Sequence, residues 1–257
     1  MAAFRLALAL LLGLVFGSFL TVAIHRVPKG ESIVRPRSRC PSCGTQIRAS
    51  DNIPVVSWLL LRGRCRHCGA RISPVYPLTE LAVAGLFVAV AVRYDDPWVV
   101  ALLAPFLGVL LALAVIDART KRLPNRIVYP SVIVAALYLP VARIAGASVD
   151  LLDAAVGLLA YGGAMLVVAL VAPKGMGMGD VKLAGLIGLV LGALGLEYVA
   201  VAAGLGILFG GVGAIVALVA GAGRKHAMPF GPFLAAGAIA AVFVGPWVAD
   251  AYLSLVS

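Results

Sequence analysis

The sequence predicts an all-α polytopic membrane protein with about eight transmembrane helices and one small cytoplasmic zinc-ribbon-like insert. Three observations carry this expectation. Hydrophobic residues make up 62% of the 257 and charged residues only 12%, about half the roughly 25% charge of a soluble domain. Apolar runs long enough to cross a bilayer as helices alternate with short polar gaps along most of the chain. The four cysteines fall as two C-x-x-C pairs inside the one long polar gap, a spacing that binds metal.

The first apolar run, about Ala3 to Ile24, is long enough to span. It lacks a small-x-small cleavage site followed by a secreted domain, so it reads as a retained helix and not a signal peptide. Seven more runs centre near Leu86, Leu107, Ala135, Ala160, Leu189, Leu208 and Ile239. The sixth of the eight, about Leu183 to Leu196, is short and rich in glycine. Such a segment is expected to be tilted, partly broken or lined by protein instead of lipid. Gly204, Gly206, Gly210, Gly211 and Gly213 mark close helix packing and nothing functional. The expected organisation is therefore a first helix at 1–25, a four-cysteine zinc-binding insert at 26–76, and a seven-helix membrane domain at 77–257.

The gaps set the orientation. The first holds ten of the 21 Lys and Arg, from Arg26 to Arg71. The third contains Arg119, Lys121, Arg122 and Arg126, the fifth Lys174 and Lys182, and the seventh Arg224, Lys225 and His226. The even gaps are not basic: Arg93 with Asp95 and Asp96, Arg143 with Asp150 and Asp153, then Glu197 alone. The positive-inside rule puts the odd gaps in the cytoplasm and both termini outside. Arg5 is the lone basic residue against this. The net charge of +10 is thus a matter of topology. Nucleic acid is excluded as a partner, since no basic patch lies outside the membrane loops.

Acids beside membrane segments are expensive, at roughly 2.5–3.5 kcal/mol near a helix centre. Asp117 closes the third segment and Asp180 opens the sixth, so both fall at the cytoplasmic face; Glu80, at the start of the second, lies on that side too. As helix-end charges they would simply pair with Arg119, Lys121 or Lys182 and complement the helix dipole. The alternating Gly175, Gly177 and Gly179 argue for more, because bare backbone stabilises nothing alone and suits close approach of another chain, such as an extended peptide. Two carboxyls facing one water supply amide hydrolysis: one takes a proton from water, the other serves the carbonyl and the leaving amine. Such a pair shares a proton and titrates as a unit. Asp117 and Asp180 are the expected catalytic residues, with Gly177, Gly179, Lys182 and Glu80 the expected substrate contacts. His25, His67 and His226 form no H-E-x-x-H motif, and no G-x-S-x-G elbow is present.

Cys40-x-x-Cys43 and Cys65-x-x-Cys68 are 21 residues apart, close to the C-x₂-C-x₁₅₋₂₀-C-x₂-C pattern of a four-thiolate zinc site. Gly44 and Gly69 follow the pairs as knuckle turns prefer. His67 reads as a spectator, since four cysteines close the shell. The zinc is expected to be structural: an insert this small cannot bury a sufficient core without it. Its arginines suit anionic headgroups. Asp51, in D-N-I-P, marks a docking loop or a capped turn.

Seven ordered blocks resemble the type IV prepilin peptidases, G-x-G-D membrane aspartic proteases. They are G-S-F-L at Gly17–Leu20, the two Cys pairs, D-N-I-P-V-V-S-W-L at Asp51–Leu59, Y-P-L-T-E-L at Tyr76–Leu81, D-x₅-L-P at Asp117–Pro124, G-M-G-D-V-K-L at Gly177–Leu183 and P-F-G-P at Pro229–Pro232. Thr21 and Asn125 stand where that family often has Asn and Asp. The resemblance makes Asp117 and Asp180 the catalytic pair. It implies a multi-pass protein of the bacterial inner membrane that removes the basic leader of type IV prepilins or of type II secretion pseudopilins at the cytoplasmic face. It further implies methylation of the new amino terminus with S-adenosylmethionine, although the insert carries no G-x-G-x-x-G loop. Two other classes compete. A proton-coupled transporter requires acids near the bilayer midplane and an internal repeat. A non-enzymatic scaffold with a zinc ribbon leaves the G-x-G-D run without a purpose.

Overall fold

The structure is a computed structural model that describes residues 2–35, 37–173, 176–221 and 228–256. Among them are nine α-helices: α1 Ala2–Arg26, α2 Val56–Leu60, α3 Val75–Arg93, α4 Pro97–Thr120, α5 Asn125–Ile144, α6 Leu151–Val171, α7 Met178–Gly192, α8 Leu196–Val219 and α9 Gly231–Val256. Among the described residues there is no β-strand, only two isolated bridges in the segment between α1 and α3. Seven helices, all but α2 and α7, are long and apolar enough to cross a membrane. The chain is a multi-pass membrane protein.

The sixth apolar run is α7, and it differs from the rest. Its 15 residues extend only about 22 Å at about 1.5 Å per residue, short of a hydrocarbon core about 30 Å thick. It starts at Met178 and ends at Gly192, earlier at both ends than the apolar run suggests. Gly177 with Asp180 starts the helix, and Gly195, at φ +144°, turns the chain into α8. Eleven of its residues, from Asp180 to Gly192, are buried. Neighbouring helices line it, since α7 lies along α6 and touches α5, α8 and α9.

The close contact of α6 and α7 is made by glycine. A Cβ on Gly188 would run into the carbonyl oxygen of Gly157, and one on Gly157 into that of Gly188. Without a hydrophobic drive between helices in lipid, such backbone approach and its dispersion contacts hold them together. Two more tight pairs, α1 with α3 and α8 with α9, complete the bundle, and α4 packs on α1, α3 and α9. Of the glycines expected to pack in α8, Gly206, Gly210 and Gly213 face Leu234, Phe230 and Phe233 of the α9 region, whereas Gly204 and Gly211 face open space. Large apolar residues such as Ile133, Leu159, Val171 and Val219 are exposed outward, as lipid-facing positions require.

Because successive membrane helices alternate in direction, the α1–α3, α4–α5, α6–α7 and α8–α9 connections gather at one end. At the opposite end, acids serve as caps. Asp96 accepts the Trp98 N–H at 2.8 Å to start α4, and its other oxygen accepts from the Ser148 N–H and hydroxyl. Asp150 accepts the Leu152 and Asp153 N–H groups to start α6. Arg5, the basic residue that disagreed with the charge pattern, is paired with Asp95 at 2.8 Å. The basic loops Lys174–Gly175 and Arg224–His226 lie outside the described residues.

Candidate active site

Asp117 sits in the last turn of α4 and is 5% exposed. Its Oδ2 accepts the N–H of Gly231 at 3.1 Å. That N–H belongs to the first residue of α9, where backbone donors lack intrahelical partners and the helix dipole favours an anion. A Cβ on Gly231 would lie 2.6 Å from the same oxygen, so only glycine lets the amide come this close.

Asp180 lies in the first turn of α7 and is 9% exposed. Its Oδ2 accepts the Gly177 N–H at 3.3 Å, while its own N–H donates to the Gly177 carbonyl at 3.0 Å. This is the acidic half of a capping box, with bare backbone in place of a Ser or Thr side chain. Gly179, next to Asp180, stands against Leu123, six residues past Asp117, and α9, whose first N–H meets Asp117, packs on α7, so residues far apart in the chain are brought to one end of the bundle. Among the described residues neither acid has a cation partner; the ion pairs there are Arg5–Asp95 and Arg66–Asp51. The helix-end reading, with Lys182 or Arg119 neutralising the acids, is not what these contacts provide.

The four expected substrate contacts separate. Gly177 holds Asp180. Gly179 faces the chain itself, since a Cβ there would stand 3.0 Å from the Leu123 Cβ. Its bareness is used at least in part to seat α7 on the α4–α5 connection. Gly175, the third member of the run, lies outside the described residues. Lys182 extends along α5, donating to Asn125 Oδ1 at 3.0 Å and sitting 4.9 Å from the Tyr129 ring centroid. Glu80 is 7% exposed and faces the insert, where Oε2 accepts the Val55 N–H at 2.7 Å. The residue that sequence reasoning left without a role is Gly231. Its signal was the P-F-G-P block, in which a glycine directly precedes a helix-opening proline.

The insert brings its four cysteines together through two matching knuckles. Cys40 N–H donates to Thr45 O and Gly44 N–H to Cys40 O; Cys65 N–H donates to Ala70 O and Gly69 N–H to Cys65 O. Gly44 and Gly69 both adopt φ +69°, the left-handed turn that closes each knuckle. The four Sγ atoms lie within 4.8 Å of one another, Cys40 and Cys68 at 3.8 Å. A tetrahedron of thiolates about 2.3 Å from a zinc ion has edges of about 3.8 Å, so the donor set fits one such ion. The Thr45 hydroxyl and backbone N–H hold the Cys43 thiol down to about 6, towards the thiolate a metal needs. His67 is not part of the cluster. Asp51 is clamped by Arg66 through three contacts of 2.7–3.1 Å, tying D-N-I-P to the second knuckle.

Comparison with known proteins gives matches along most of the chain. Residues 11–94 match the bacterial peptidase A24 N-terminal domain and residues 104–248 the type IV leader peptidase family. A prepilin leader peptidase/N-methyltransferase of Bacillus subtilis is 34% identical over 255 residues, 97% of this chain and 98% of the relative. One from Dichelobacter nodosus is 36% identical, covering 88% and 86%, and one from Burkholderia pseudomallei is 37% identical, covering 94% and 86%. No solved structure matches. With a peptidase-family match over more than half its length and relatives of this closeness, the chain belongs to the type IV leader peptidase family.

Proposed function

We propose that this chain is an aspartic endopeptidase of the bacterial inner membrane that removes the leader of type IV prepilins or pseudopilins, with Asp117 and Asp180 as its catalytic pair. The observation that carries this is two buried carboxyls from α4 and α7, each held by one glycine amide and neither matched by a cation among the described residues. One carboxylate takes a proton from a water, whose oxygen attacks the scissile carbonyl. The other, protonated, donates to the carbonyl oxygen and then passes its proton to the leaving amine as the C–N bond breaks. The glycine amides fix both carboxyls, and burial keeps them free of bulk water. The basic residues Arg119, Lys121, Arg122 and Arg126 lie at this end of the bundle, which supports a cytoplasmic site and insert by the positive-inside rule. The insert holds one structural zinc. The relatives' names carry the second activity to this chain: methylation of the new amino terminus by S-adenosylmethionine. A proton-coupled transporter finds no support, since both acids stand at helix ends and the relatives are peptidases.

Incubating purified protein with a model prepilin and weighing the product tests this. Asp117→Asn and Asp180→Asn each should abolish cleavage, by about 10³-fold or more, without loss of the folded bundle. Gly231→Ala, which disturbs only the amide contact to Asp117, should lower it about 10²-fold. Retained cleavage in either folded Asn variant would refute the pair.

A further inference from the structure

The insert carries an apolar patch that neither peptide hydrolysis nor metal binding uses. Leu59 and Leu60 are 61% and 78% exposed, and Ile53 and Val56 are half exposed. A patch of this kind on a polar module marks a contact surface.

Depth identifies what covers it. Helix α3 has 19 residues, about 28 Å at about 1.5 Å per residue, close to the hydrocarbon thickness of about 30 Å. Its first residue, Val75, therefore lies near the edge of the hydrocarbon. Glu80, five residues further on, lies about 7 Å inside that edge. The Glu80 side chain leans back towards the start of α3, and its Oε2 accepts the Val55 N–H at 2.7 Å. The insert thus descends along α3 to a level a few ångströms inside the edge. Lipid reaches that level on α3 itself, where Leu78 and Leu81 are exposed.

Irregular backbone persists at such depth only where protein meets its polar groups. The Ile53 N–H donates to Ser57 Oγ at 3.0 Å, and that hydroxyl donates to the Ser50 carbonyl at 2.9 Å. Pro54 has no N–H to satisfy. The Val56 N–H closes onto the Pro54 carbonyl at 2.6 Å, and the Ser57 and Leu59 N–H groups reach the Ile53 and Val55 carbonyls. Val55 itself is held at φ +59°, ψ −50°, a γ-turn of the rare positive-φ kind that is strained for a β-branched residue. This turn starts α2, which presents Val56, Leu59 and Leu60 outward. Arg62 and Arg64 follow directly and are exposed. Their long stems let the guanidinium groups reach acidic headgroups while the leucines lie in the acyl chains.

We propose that residues 53–60 form a re-entrant membrane anchor. Ile53, Val56, Leu59 and Leu60 enter the leaflet on the insert's side of the bundle, and Arg62 and Arg64 meet its anionic headgroups. Glu80 lets the chain turn there by accepting the Val55 N–H, and so acts as a positioning residue for the insert.

Photolabelling of the zinc-loaded full chain in phosphatidylglycerol vesicles tests this. A lipid with a diazirine near the glycerol end of its acyl chain should mark Val56, Leu59 and Leu60 as strongly as Ile207 and Ile215, which are exposed on α8. Label on α8 with none on residues 53–60 overturns the anchor. A diazirine residue in place of Leu60 should give lipid adducts; adducts to a second copy of the chain or to added prepilin in their stead assign the patch to that partner and overturn it too. Leu59→Ser/Leu60→Ser should lose most of the lipid adducts on Val56 with zinc content unchanged, and wild-type labelling in that variant counts against the anchor. In phosphatidylcholine the wild-type adducts on Leu60 should fall about fivefold, the worth of one basic side chain at an anionic surface, while those on α8 hold. Equal yields in the two lipids overturn the headgroup contact.

Discussion

The membrane bundle and the four-cysteine insert reach order by opposite means. Within α7 alone, eleven residues are buried. Between residues 27 and 74, only Cys40, Ser57 and Gly63 are buried among the described residues. The bundle holds its carboxyls in place by backbone packing, as where Gly157 and Gly188 meet. The insert has two hydrogen-bonded knuckles, a Trp58 N–H to the Ile72 carbonyl at 3.1 Å, and four converging sulfurs. It is too small to bury a sufficient core, and a metal held by the four sulfurs would supply the missing folding energy. One region is therefore expected to answer to volume, and the other to metal and pH.

The largest break should come from removing the metal. Apparent zinc-binding energies of about 10–16 kcal/mol exceed anything else that holds the insert. Stripping the metal with a chelator should abolish amide-exchange protection across residues 38–72 and leave that of α6–α9 unchanged. Acid should do the same. Protons compete with a metal for the four thiolates, so metal and protection are expected together near neutrality and should be lost together as the pH falls. Protection of the insert that survives metal removal would erase the contrast.

The reverse break is Gly188→Leu. Its side chain would have to displace the Gly157 backbone, not a flexible neighbour, and overpacking of this kind costs about 3 kcal/mol or more. The melting transition of the bundle in detergent should fall, and leader cleavage with it, because α7 carries Asp180. The zinc content should stay the same. A parallel loss of zinc would mean that the two regions fold as one unit.

The contrast also explains what the sequence could reveal. Membrane spans are legible because lipid demands long apolar helices, and Cys knuckles because the ligands are local. Asp117 and Asp180 stood out as acids where acids are costly. What stayed hidden depends on the third dimension. The bareness of Gly179 reads as room for a substrate until Leu123 is found against it. Lys182 follows Asp180 by two residues, yet its stem runs along α5 to Asn125 and Tyr129. Glu80 shares an end of the bundle with the acid pair, but helix packing turns it towards Val55. Gly231 matters only because α9 starts beside the end of α4, and no local pattern encodes that meeting.

Asn125→Asp sharpens the comparison at its smallest scale. Asn125 opens α5 on the exposed rim and accepts from Lys182 at 3.0 Å. An aspartate there would turn a neutral hydrogen bond into an ion pair and put an acid in the first turn of a helix. Exposed pairs are worth only about 0.2–1 kcal/mol and are screened by salt. The melting transition should therefore rise slightly at low ionic strength and return to the wild-type value at about 1 M salt, with zinc content unaffected. Cleavage decides the role of Lys182. If it is a strut between α7 and α5, tightening the strut leaves cleavage within about twofold, since the energy involved is about half a kcal/mol. If Lys182 leaves Asn125 to meet the substrate, as its place beside G-x-G-D suggests, the aspartate competes for it and the apparent KM rises at low salt while kcat holds.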